Sequence, residues 1–153
     1  MMILKKKVPL YKIRATIKAL IFSMNRMRQR YSLTKEERLR GVKNIQELFE
    51  QGQSILQYPI RAVYLLKKDG SGSFPKVLFS VPKRRFKKAH DRNLLRRRMK
   101  EAYRLHKDWA EPNAEHLLSE PLVAFTYIGN EPISFNEIEK AMLELLHRLK
   151  QRM

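Results

Sequence analysis

Arg92, Asn93, Arg96, Arg97, Lys100, Arg104 and Lys107 follow one another at intervals of one, three or four residues. On a helix, at roughly 100° per residue, they fall within an arc of about 140°. A ribbon of guanidinium and ammonium groups does one kind of chemistry well: it holds the phosphates of a polyanion. Arginine outnumbers lysine here, and its planar fork grips phosphate with two hydrogen bonds and stacks on bases. Asn93 adds an amide that both donates and accepts. Tyr103 lies at the ribbon's edge, where it either stacks on a base or anchors the helix in the core. The preceding loop, Lys83-Arg84-Arg85-Phe86-Lys87-Lys88, brings more cations to the helix N-terminus, where the dipole also favours phosphate. These residue types favour RNA but separate it from DNA only weakly.

Other chemistry finds little support. His90, His106, His116 and His147 are scattered without metal-ligand spacing. Asp91 and Glu101 are better explained by N-capping and pairing within the helix than by acid–base work. No glycine-rich phosphate loop is present. None of these residues forms a pattern that reads as a catalytic or metal-binding centre.

The chain has 153 residues and a formal net charge of +18. Residues 1–31 hold nine Lys/Arg and no acid, while residues 83–107 hold twelve against Asp91 and Glu101. The remainder is nearly neutral, so the charge is concentrated as a polyanion-binding face requires. Concentration disfavours the helix itself. Like charges at i,i+4, as in Arg92–Arg96–Lys100–Arg104, each destabilise it by about 0.2–0.5 kcal/mol. A solvated face would mix signs; phosphates from a partner would remove the repulsion.

The ribbon needs a scaffold, and the apolar pattern supplies one. Leu94, Leu95, Met99, Ala102 and Leu105 oppose the cations and can dock on a sheet. Thr34-Lys35-Glu36-Glu37 has the capping-box pattern. Leu39, Val42, Ile45, Leu48 and Phe49 follow at helical spacing, which predicts a first helix from Thr34 that Gly52 stops. Residues 54–67 read as β, with Ile60 to Leu66 a buried strand. A turn at residues 69–73 leads to a strand from Lys76 to Val81, ended by Pro82. The basic helix ends around Lys107, and Trp109 to Glu120 connect it to a strand from Leu122 to Ile128. Ser134-Phe135-Asn136-Glu137 is a second capping box. Ile138, Ala141, Met142, Leu145, Leu146 and Leu149 then form the apolar stripe of a final helix. The order predicts an α+β fold: a single-domain α/β sandwich with helices packed on a central sheet of about four strands.

Residues 1–31 read as a basic N-terminal extension, apart from a domain over 32–153. Three readings of it compete: a stretch upstream of a true start at Met24 or Met27, an arm adding phosphate contacts, or a transit peptide. Its weak amphipathic character also allows a role at an anionic membrane. Absence of Cys excludes disulfides, thiolate zinc sites and cysteine nucleophiles, and fits a reducing, cytoplasmic setting. No apolar run approaches the roughly 20 residues of a membrane span.

The segment from Phe79-Ser80-Val81-Pro82-Lys83 through Ala89-His90-Asp91-Arg92-Asn93-Leu94-Leu95-Arg96-Arg97-Arg98-Met99-Lys100-Glu101-Ala102-Tyr103-Arg104 resembles the signature of the bacterial ribonuclease P protein component. That pattern is a strand, a basic loop, Arg-Asn, two residues, Lys/Arg-Arg, two residues, then Arg-Glu-Ala-Phe/Tyr-Arg. Residues from about 32 to 150 follow the family's order of elements. Arg96 and Lys100 exchange Lys and Arg relative to the commonest pattern, and Lys87 stands where many members carry Gly. His90 replaces a small aliphatic residue, so it is either a hydrogen-bonded core histidine or an RNA contact.

The resemblance implies a left-handed βαβ crossover carrying the basic helix. It also implies the non-catalytic protein subunit of a ribonucleoprotein endoribonuclease that removes the 5′ leader of precursor tRNA. The chemistry would belong to the catalytic RNA and its Mg²⁺ ions. Lys83, Arg84, Lys87, Lys88, Arg92, Asn93, Arg96, Arg97, Lys100 and Arg104 would bind that RNA. Ile45, Phe49 and Tyr64 would contact the leader in a groove between the first helix and the sheet, with plain core packing the competing role for Ile45 and Phe49. A ribosomal or RNA-chaperone protein of similar fold shares the charge pattern.

Overall fold

The structure, a computed structural model, describes residues 32–67, 75–107 and 120–152. The N-terminal extension, the turn at 69–73 and most of the connection after Trp109 lie outside the described residues. In chain order the elements are α1 (Val42–Gln51), β1 (Gln53–Gln57), β2 (Ile60–Lys67), β3 (Lys76–Ser80), α2 (Ala89–Leu105), β4 (Glu120–Tyr127) and α3 (Phe135–Arg152). One four-stranded sheet runs in the order β1-β2-β4-β3. β1 and β2 form an antiparallel hairpin, and β2 pairs antiparallel with β4 from Ile60↔Tyr127 to Lys67↔Glu120. β3 lies parallel to β4, so α2 is a crossover between adjacent parallel strands.

Strand alternation sends successive side chains to opposite faces. Ile55, Ile60, Ala62, Tyr64, Val77, Phe79, Val123, Phe125 and Tyr127 meet Leu95, Met99, Ala102 and Tyr103 of α2 and the whole apolar stripe of α3. Aromatic rings fill this layer: Phe79 stacks on Phe125 at 5.5 Å between centroids, and Tyr103 meets Phe79 edge-on at 5.6 Å. Tyr103 is therefore a core anchor rather than a base-stacking group. The opposite face holds a smaller core of Leu39, Leu48, Val63, Leu122 and Ala124, covered by α1. Helices thus lie on both faces.

The second capping box forms as its pattern predicts. Glu137 N donates to Ser134 Oγ at 3.3 Å, while Glu137 Oε2 accepts from the Ser134 hydroxyl and backbone N–H. The hydroxyl first, then that N–H, hold the Glu137 carboxyl below its ordinary range. A carboxyl lowered on folding stabilises above its unfolded pKa, and the contribution is lost as pH falls through the lowered value. Thermal midpoints between about pH 5 and pH 3 should therefore fall more steeply for the native chain than for Ser134→Ala.

The first box does not start a helix. Thr34 N does donate to Glu37 Oε2 at 2.8 Å, closing a turn. The main chain then runs along the free edge of β3: Val77 N donates to Glu37 O at 2.7 Å and Leu39 N to Val77 O at 2.9 Å. Pairing with a sheet edge satisfies the backbone groups that a helix would have used. Gly41, at φ 87°, turns the chain into α1, which begins at Val42. Leu39 joins the small core from this extended segment. Glu37 is drawn inward as well, where its carboxylate pairs with Lys107 with both side chains about 95% buried. Gly52 ends α1 at φ −71°, and its role is close approach: a Cβ there would collide with the Leu48 carbonyl and crowd Val63.

Candidate nucleic-acid interface

α2 docks through Leu95, Met99, Ala102 and Tyr103, all buried. The cations on its other face then divide by what they touch. Arg97, Lys100 and Asn93 are exposed, with Arg96 beside them. Arg97 and Lys100 have no partner among the described residues, so their donors are available to an anion. Arg92 turns back instead: its guanidinium donates to the Phe86 and Lys87 carbonyls, each at 2.7 Å. It pins the basic loop to the first turn of the helix. Arg104 is held by Glu101, with Nε 2.9 Å from Oε2. That hydrogen bond raises the Arg104 pKa and lowers the Glu101 carboxyl. Lys107 leaves the ribbon altogether, because its ammonium is buried against Glu37. The predicted ribbon is thus narrower, centred on Asn93, Arg96, Arg97 and Lys100.

Leu94 and Leu105, expected on the docking face, are each 39% exposed. His90 is no core histidine. It stands exposed at the helix start, with Nε2 2.7 Å from Asp91 Oδ1. Asp91 lies in the first turn, and the N-cap position belongs to Lys88 without a side-chain cap.

Lys83, Arg84, Lys87 and Lys88 of the β3–α2 loop are all exposed. Buried Phe86 anchors the loop, its ring tilted against Tyr127 at 5.7 Å. Arg85 reaches across to Asn130 Oδ1 at 2.7 Å, and Arg98 donates to the Ile133 carbonyl. Both contacts tie the loop and α2 to the segment after β4. Tyr127 secures that segment from within: its hydroxyl donates to Glu131 O at 2.6 Å, and burial raises its pKa.

On the α1 face, the part of the sheet that α1 leaves open forms a hollow of about 510 Å³. Leu56, Val63, Thr126 and Ile128 contribute its floor and sides, Phe49 of α1 stands on one wall, and Arg61, Arg84 and Arg85 bring cations to it. Phe49 is 50% exposed, which core packing alone does not explain. Ile45 packs partly buried against the small core and does not line the hollow. Tyr64 is not part of it either. Its register opposite Gln53 places it on the other face, 5% exposed, with its hydroxyl donating to Gln53 Oε1 at 2.7 Å. Alternation along β2 puts Arg61 and Val63 where Tyr64 was expected. That period-two signal was available in the sequence, but the unbroken apolar run from Ala62 to Leu66 concealed which set faces α1.

Comparison with known proteins identifies the family and the fold. The family model for ribonuclease P matches residues 33–150. The chain belongs to the ribonuclease P protein family. Curated ribonuclease P protein components from two strains of Porphyromonas gingivalis are each 34% identical over 127 residues, covering 78% of this chain and 87% of theirs. The fold is that of the Thermotoga maritima ribonuclease P protein, with a TM-score of 0.58 at 21% identity over 72% of this chain and 96% of that one. The Staphylococcus aureus protein gives a TM-score of 0.56 at 18% identity over 74% and 94%. As a ribonuclease P protein, the chain is a subunit of a tRNA-processing endoribonuclease and works with the ribonuclease P RNA. The ribosomal and chaperone reading gives way to that assignment.

No helix among the described residues is long and apolar enough to cross a membrane. Among them, too, no three of His, Cys, Asp or Glu come together as a metal site.

Proposed function

We propose that this ribonuclease P protein binds its catalytic RNA through Asn93, Arg96, Arg97 and Lys100 of α2 and through Lys83, Lys87 and Lys88 of the loop. Arg92 holds the loop in place, and Arg104 extends the ribbon. The 5′ leader of precursor tRNA lies in the hollow on the α1 face. The observation that carries this reading is the hollow itself. An exposed phenyl ring and aliphatic side chains line it, and arginines stand around it. That combination suits single-stranded RNA: bases stack on the ring whatever their identity, while the cations follow the backbone. Arg84 and Arg85 belong to the same loop that leads into α2, so leader and catalytic RNA would meet on either side of one basic segment.

Mg²⁺ held by the RNA would supply an activated water for leader removal. The exposed surface of α2 is cationic and does not fit a divalent cation, so no step of the chemistry falls to this chain. It binds, orients and neutralises, in a cytoplasmic setting.

Phe49→Ala tests the reading. With the holoenzyme reconstituted, the substitution should weaken precursor tRNA by roughly 1–3 kcal/mol per stacked base lost and leave mature tRNA unchanged. Equal weakening of both would remove the leader from the hollow.

A further inference from the structure

α2 carries more than a line of cations. A second hollow, of about 470 Å³, lies on its exposed face, walled by His90, Asn93, Leu94, Arg96, Arg97 and Lys100. His90, Leu94 and Arg97 recur at four and three residues and share one stripe of the helix. Asn93, Arg96 and Lys100 form the neighbouring stripe. The first stripe offers a ring, an aliphatic side chain and a planar guanidinium; the second is polar and cationic. Leu94 sits in this wall although the core has no use for it, for α2 packs through four other residues. The His90 ring is 74% exposed and is oriented by its contact with Asp91. The Asn93 carbonyl oxygen lies 3.5 Å from Arg96 Nη1, while its NH₂ group has no partner among the described residues. Phosphate recognition needs projecting donors. It has no need of an apolar wall beside an imidazole ring.

We propose that this hollow takes one unpaired nucleobase of the catalytic RNA. The base lies with its face against His90 and Leu94 and its edge toward the Asn93 amide. The flanking phosphates rest on the cations of the second stripe. This rests on the reading that α2 binds the catalytic RNA, and it adds a contact of a different physical kind. Stacking is insensitive to salt, whereas phosphate neutralisation is not.

That difference separates the two readings by experiment. Affinity of the full chain for its ribonuclease P RNA is measured at several salt concentrations. Leu94→Ala and His90→Ala should each weaken binding about fivefold or more while leaving the salt slope at the native value. His90→Phe keeps an aromatic face and should stay within about twofold of the native protein. Probing of base reactivity should find one unpaired nucleotide protected by the native chain and re-exposed with Leu94→Ala. The hollow is refuted if both alanine variants bind as the native protein does, or if His90→Phe is as weak as His90→Ala. It is refuted equally if the losses come with a lowered salt slope. A native chain whose binding ignores salt would overturn the phosphate reading of α2 and this proposal together.

Discussion

Raising monovalent salt from about 50 to about 200 mM should weaken binding of the catalytic RNA by about a thousandfold. The size follows from counting exposed cations. Lys83, Lys87, Lys88, Arg97 and Lys100 are exposed on the loop and α2, with Arg96 half-buried among them, and about six phosphate contacts carry an effect of that order. Each contact releases counterions and contributes about 0.7–0.9 to the log–log slope. Arg97→Ala should therefore lower the slope by about that amount and weaken binding alike across RNA sequences. Arg97 is the cleanest choice because it is exposed and has no partner among the described residues, so its loss does not disturb the fold. Arg92→Ala would confound the measurement, since Arg92 also pins the loop through two carbonyls. A slope and affinity unchanged in Arg97→Ala would show that this guanidinium does not touch phosphate.

Glu37→Ala is expected to destabilise the free protein by about 3–5 kcal/mol, a large part of the roughly 5–15 kcal/mol that holds a domain together. The Glu37–Lys107 pair lies between the segment along β3 and the end of α2, with both side chains about 95% buried. Removing the Glu37 carboxylate deletes a Coulombic contact of the Lys107 ammonium in a region that water does not reach. The substitution also deletes the acceptor of the Thr34 N–H. Urea unfolding followed by helical circular dichroism gives the measurement. A loss below about 1 kcal/mol would mean that the pair behaves as an exposed one. The double variant Glu37→Met/Lys107→Met should recover much of the stability, because two apolar side chains avoid the desolvation that the ions suffer.

Local pattern carried far in this chain. The apolar stripe from Ile138 to Leu149 is buried at all six positions, and the box at Ser134 caps its helix. Both are interactions between residues three or four apart, which the sequence displays directly. The segment at Thr34 shows the same box and yields no helix. Its fate depends on β3's unpaired edge and on an ammonium far along the chain, and neither is visible in a local window. The ribbon divides in the same way. Spacing identified a cationic helix, yet Arg92, Arg104 and Lys107 look like Arg97 in the sequence and differ in what they touch.

The sequence by itself determined the charge concentration, the two long amphipathic helices, the β texture before and between them and, through the signature around Arg92 and Asn93, the family. These depend on composition and short-range periodicity. Tertiary structure alone decided that Tyr64 faces away from α1 while Arg61 joins Phe49 at the hollow, that His90 is exposed, and that Lys107 is buried. Each of those outcomes follows from which strand pairs with which and in what register. A one-residue change of register would exchange the two faces of β2 without altering the sequence.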